Sequence, residues 1–149
     1  MSTKPPKELL TFLRPYSRTI RELAIGLRKV VIGELAPCHE NIYDAYNAVA
    51  LGYGSTEGSK EGICHIAVYA HHVNLGFNRG ATLADPLKIL RGSGKHIRHI
   101  TLKDAAALKR PELREYLRRA SKQAGHAGGK SGEVISVVKG NYPVKRRPS

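Results

Sequence analysis

Between Asn41 and Asn78 the chain is a succession of short runs rich in β-branched and aromatic residues, broken by glycine, which reads as three or four antiparallel strands. The expected strands run from Ile42 to Tyr46, Ala48 to Gly54, Gly62 to Ala70 and Val73 to Phe77. Gly58-Ser59-Lys60 supplies one turn, and the region of His71 and His72 another. Strand side chains alternate, so Cys64, Ile66 and Val68 share one face while His65, Ala67 and Tyr69 share the other. A sheet with one apolar face needs a cover, and helices are expected on the Cys64 side.

Two flanking segments offer that cover. From Tyr16 to Leu35 the residues Ile20, Leu23, Ala24, Leu27, Val30 and Val31 recur at spacings of three and four, with Arg18, Arg21, Arg28 and Lys29 off the stripe. Pro15 suits the helix start, Thr19 and Glu22 form a candidate capping box, and Ala36-Pro37 stops the helix. A shorter helix is expected at Lys7 to Leu13. Downstream, His96 to Leu102 reads as a further strand, Asp104 as the cap of a short helical turn, and Pro111 as the start of a helix. Leu113, Tyr116, Leu117, Ala120 and Ala124 form its stripe, and Gly125 ends it. The expectation is one α+β domain, residues 1–125, with an antiparallel sheet of about five strands packed against helices. Residues 126–149, rich in Gly, Ser, Lys and Arg, read as a loosely ordered basic tail with at most a transient strand at Val134 to Val138.

Charge is distributed unevenly. Residues 1–70 hold eight Lys/Arg against seven Asp/Glu, a net +1, whereas residues 71–149 hold seventeen against five, a net +12. Such a field favours anionic partners: phosphate esters, nucleic acid or an acidic protein surface. No apolar run is long enough to cross a bilayer, and the N-terminus lacks the apolar stretch of a secretory signal, so a cytoplasmic address is expected. Cys38 and Cys64 are too few for a disulfide scaffold and read as reduced thiols.

Familiar chemical motifs fail on spacing. Gly92-Ser-Gly-Lys95 resembles the end of a phosphate-binding loop, but the first glycine would fall at Ile89 and a strand follows instead of a helix. Cys38-His39, Cys64-His65, His71-His72 and the pair His96 and His99 lack the short fixed spacings of zinc ligands. Catalytic signatures such as a nucleophile elbow are also missing locally, which favours binding over catalysis; no cofactor is implied.

Arg79, Lys95, Arg98 and His99 fall at the ends of neighbouring strands, beside the exposed amides of Gly80 and Gly94, and form the candidate anion site. Arg98 also alternates with Ile100 and Leu102, so the second reading places it inward, paired with Asp85 or Asp44. On the last helix Arg114, Arg118 and Lys122 recur every fourth residue. With Lys145-Arg146-Arg147 they form a candidate phosphate-contacting ridge for nucleic acid.

The segments LGFNRGA (75–81), Asp85-Pro86 and RGSGKHIRH (91–99) resemble the central part of the YdhG-like family of small bacterial domains, and the similarity extends over roughly Leu9 to Ala124. The resemblance implies an α+β domain similar in layout to frataxin, and some relatives carry an iron-chaperone label. Iron delivery of the frataxin kind uses a ridge of acidic residues, because a hard cation prefers oxygen ligands. Here the corresponding helix offers Glu22 and Glu34 among four basic residues.

Overall fold

A computed structural model describes residues 4–45, 48–58, 62–129 and 132–141. Helices α1 (Lys7–Leu13), α2 (Arg18–Leu35) and α3 (Pro111–Gln123) pack against strands β1 (Cys38–Asp44), β2 (Val49–Gly54), β3 (Gly62–Val68), β4 (Val73–Phe77), β5 (Arg98–Leu102) and β6 (Val134–Asn141). The strands form one sheet in the order β5-β4-β3-β2-β1-β6. Every neighbouring pair is antiparallel except β1 and β6, which run parallel. A parallel partner cannot be reached by a hairpin. The chain therefore leaves β5 at one edge, crosses the helical face as α3 and returns as β6 at the other edge.

β6 corrects the expectation of a loose tail. Residues 134–141 pair with the whole length of β1, from Cys38 opposite Val134 to Asp44 opposite Asn141. Its local pattern is blurred by Lys139 and Gly140, and long-range contacts hold it: the pairing with β1, Ser136 to Glu40 and Lys139 to Glu57. Lys145, Arg146 and Arg147 lie outside the described residues.

Elsewhere the local signals are close to what forms. α2 begins at Arg18, two residues after the expected Tyr16, because the Ser17 hydroxyl accepts from the Ile20 amide at 3.3 Å and takes the capping role expected of Thr19. Glu22 instead receives Arg18 on its own helix. β1 starts earlier than Ile42, at Cys38, and β5 starts at Arg98 rather than His96. Asp104 caps its turn by accepting from the Ala107 amide, and Gly125, at φ +67°, follows the end of α3.

The core lies between the helices and one face of the sheet. Ile42, Leu51, Ile66, Val68, Leu75 and Ile100 face Leu23, Leu27 and Val31 of α2 and Leu113, Tyr116 and Leu117 of α3, all essentially solvent-free. Each such aliphatic side chain contributes about 1.5–3 kcal/mol by leaving water. The Tyr16 hydroxyl donates to the Val68 carbonyl at 3.2 Å, tying the α1–α2 corner to the sheet. No helix among the described residues is long and apolar enough to cross a membrane. Helices cover only this face, so the opposite face of the sheet carries the smaller residues Ala50, Gly52, Ala67 and Gly76 between polar neighbours.

Candidate functional site

The β4–β5 connection, residues 78–97, follows the apolar core edge and is held down by one carboxylate. Asp85 accepts from the Tyr116 hydroxyl at 2.6 Å and from the Ile89 and Leu90 amides at 3.0 and 3.1 Å. Burial pushes this carboxyl up, but the Tyr116 and backbone hydrogen bonds outweigh it and leave it below the ordinary range. Tyr116 is raised in turn by burial and by the same bond to Asp85. Arg91 then exchanges both backbone hydrogen bonds with His99 at 2.9 Å, so the loop adds a single residue to the outer side of β5.

The four residues of the candidate anion site are dispersed around this loop. Phe77 pairs with Arg98 and Gly76 with His99, which places Arg98 toward the helical side and His99 on the open side of the sheet. The Arg98 guanidinium donates to the Gly94 and Ile97 carbonyls at 2.6 and 2.7 Å, and it forms no ion pair with Asp85 or any other described carboxylate. Arg79 reaches the Gln123 carbonyl at the end of α3, at 3.5 Å. Lys95 is exposed. None of the four lines any of the three cavities described below; they form a charged rim. The reason is the strand pleat, which sends consecutive residues to opposite faces.

The α3 ridge is partly neutralised. Arg114 and Arg118 both clamp Glu34 of α2, at 3.3 and 2.6 Å, and the Glu34 side chain is only 12% exposed. Lys122 remains exposed on the same ridge. Beside it a cavity of about 500 Å³ is lined by Glu34, Arg118, Lys122 and His126. His126 is committed to the fold, with Nε2 donating to the Leu35 carbonyl and Nδ1 meeting the Ser55 hydroxyl, each at 2.7 Å. The carbonyl ends of α2 and α3 both approach this cavity, and their negative dipole ends with Glu34 oppose an anion there. Glu22 pairs with Arg18 on the exposed side of α2 at 2.7 Å. Among the described residues no three His, Cys, Asp or Glu gather as a metal would require. A further apolar cavity of about 400 Å³ lies between α1 and α2, at Leu10, Leu13, Ile25 and Gly26.

The open face of the sheet holds an arrangement that sequence reading missed. One row crosses the strands as His99, Gly76, His65, Gly52 and Asn41. The His65 ring lies over Gly76, in the space a Cβ would fill, and its Nδ1 meets Asn78 Oδ1 at 2.9 Å. Burial first, and His65 second, hold His99 below the usual imidazole range. On the other side of His65 opens a cavity of about 270 Å³, lined by Asn41, Tyr43, Gly52, His65, Asn78 and Ile97. The only signal in the sequence was negative: glycines at alternate positions 52 and 54, and at 76, inside strands that otherwise favour side chains.

No protein-family model, curated protein or solved structure matches this chain.

A second polar cluster is structural. Glu40, fully buried on β1, accepts from Arg28 Nε and Nη2 at 2.8 and 3.0 Å, from the Tyr53 hydroxyl at 2.6 Å and from the Ser136 hydroxyl at 2.7 Å. Four donors on one carboxylate leave it no capacity for a ligand and join α2, β1, β2 and β6.

Proposed function

We propose that this protein is a binding module whose β4–β5 connection receives an acidic protein surface, with Arg79, Lys95 and Arg98 among the contacts and His99 at the margin. The observation that carries the reading is compensation. Of the described acids, Glu22, Glu34, Glu40, Glu57, Glu112 and Glu115 are in ion pairs within the chain, and Asp85 is spent on loop amides and Tyr116. Among the described residues Arg79, Arg91 and Arg98 bond only backbone carbonyls, and no described carboxylate neutralises their charge. Lys88 and Lys95 stand exposed among them.

The spread of these cations over a rim suits an extended acidic partner better than a small anion, for which charges must converge. Leu87 and Ile97, 52% and 49% exposed in the same loop, add the apolar element of a protein interface. The YdhG-like resemblance belongs to this proposal as well, since its most specific segments, 75–81 and 91–99, frame this connection. Nucleic-acid association through Arg114, Arg118 and Lys122 is the second reading. It is supported by Lys122 and by the basic composition of residues 142–149, while Glu34 offsets the two arginines.

Fluorescence anisotropy with a labelled oligoglutamate peptide and with a mixed-sequence single-stranded oligonucleotide separates the two. Arg79→Gln with Lys95→Gln should weaken the peptide at least tenfold and leave melting temperature within a few degrees. Deleting residues 142–149 with Lys122→Gln should leave it unchanged. Peptide binding that follows the second pair of changes, or an oligonucleotide preferred over the peptide at equal ionic strength, would transfer the function to the α3 ridge.

A further inference from the structure

We propose that the outer edge of β6 is a self-association surface, on which β6 of a second copy of this chain pairs antiparallel across a two-fold axis at Ser136. Val134 then lies opposite Val138 of the second copy, and Glu133 opposite its Lys139. The surface is at the other end of the sheet from the charged rim and is independent of it.

Three observations converge on this register. First, the two edges of the sheet differ. Arg91 exchanges both backbone hydrogen bonds with His99 on the outer side of β5, whereas among the described residues nothing pairs with the outer side of β6. The Cys38 amide donates to the Glu133 carbonyl at 3.1 Å, so residues 133, 135 and 137 turn their backbone groups toward β1. Successive strand residues alternate, and Val134, Ser136 and Val138 turn theirs outward. Such a row is a template for another strand. Second, residues 134–138, Val-Ile-Ser-Val-Val, carry no charge and no proline, and Ile135 and Val138 are 44% and 39% exposed. Edge strands that stay single are usually interrupted by charge or proline. Third, the strand is complementary to itself. Centring the pair on Ser136 overlaps 134–138 completely and brings the outward backbone groups of both copies together. The same register sets the exposed Glu133 of each copy against Lys139 of the other, and Ile135 against Val137.

The charges choose the occupant. An acid before the apolar run and a base after it match an antiparallel copy of the same strand, whereas a partner of one sign meets repulsion at one end. Lys139 is already positioned by Glu57, at 2.7 Å, and the irregularity in the β1–β6 pairing falls at this residue, which ends the regular run. The formal net charge of +13 opposes association over long range, a repulsion that physiological salt screens. One strand is a narrow interface, so the dimer belongs at the weak, reversible end of the range. The assembly is one continuous sheet with β5, and therefore a charged rim, at either end.

Sedimentation velocity of the full chain at physiological ionic strength, over a series from micromolar to millimolar protein, should show a reversible monomer–dimer equilibrium. Glu133→Lys should weaken the dimer about tenfold, because symmetry counts the reversed pair twice, and adding Lys139→Glu should recover most of the loss. Val138→Pro removes an outward amide without touching the β1 ladder and should leave a folded monomer. Amide hydrogen exchange reads the register: protection of Val134, Ser136 and Val138 should rise with protein concentration, while that of Ile135 and Val137 should not. A monomer at every concentration, a dimer that persists in folded Val138→Pro, or concentration-independent exchange at the three outward amides would overturn the surface. A dimer that forms only after removal of residues 142–149 would show the edge to be covered from within the chain and overturn it as well. The charge exchange and the wild-type amide exchange stand whether or not the proline variant folds.

Discussion

Glu40 shows what the interior does to a charge. Its carboxylate is 0% exposed and depends entirely on Arg28, Tyr53 and Ser136 for solvation. Replacing it with glutamine removes the negative charge from the buried Arg28–Glu40 pair, and breaking a buried pair in this way costs about 3–5 kcal/mol. Urea unfolding of Glu40→Gln should show that loss in the midpoint with little change in slope. The two thiols illustrate the same physics in the opposite sense. Burial, reinforced by Glu40, pushes Cys38 up to about 12, and burial pushes Cys64 further still. Neither thiolate forms near neutrality, so a thiol-reactive disulfide reagent at about pH 8 should label neither residue in the folded protein and both after denaturation. Labelling of the native chain would mean that the Cys38–Glu40 edge opens readily.

At the scale of the element, strand β4 is shaped by what crosses it. Gly76 has a histidine on either side, and the His65 ring occupies the place of its missing side chain. Gly76→Ala should displace that ring, break the His65–Asn78 hydrogen bond and cost about 1–3 kcal/mol, the usual penalty of overpacking. His65→Ala combined with Gly76→Ala should regain most of the loss, and a double-mutant cycle by thermal denaturation measures the coupling. Additive effects would mean that the ring and the glycine are unrelated. On α3 the fourfold spacing of Arg114, Arg118 and Lys122 was readable as a basic ridge, but its net charge was not. Glu34, which neutralises two of the three, comes from another helix.

For the whole molecule, acid sensitivity follows from the open face. Burial and neighbouring cations, Lys103 and His99 chief among them, lower His72, and burial with His65 lowers His99. The unfolded chain, whose histidines titrate near 6.5, then binds more protons than the fold, so acidification favours unfolding. Melting temperature should fall as pH drops below about 6.5, and His72→Asn with His99→Asn should flatten that limb. Asp85, Glu57 and Glu112, all held below the usual carboxylate range, add a separate loss at about pH 4 and lower, where their unfolded counterparts take up protons first. A stability profile flat from neutrality to that point would contradict the assigned shifts.

What the sequence determined by itself is whatever depends on neighbours a few residues away. The stripe from Ile20 to Val31 specified the inward side of α2, the alternation of Cys64, Ile66 and Val68 specified the covered side of β3, and Asp104 and Gly125 marked the ends they flank. Tertiary structure alone decided which charges meet and which strands adjoin. Glu34 joins Arg118 across 84 residues, Ser136 joins Glu40 across 96, and β6 finds β1 at the far edge of the sheet. Periodicity encodes the direction of a side chain, whereas a pocket or an ion pair requires two directions to converge in space. No local pattern carries that second coordinate, which is why the helices were legible and the cavity over Gly52 was not.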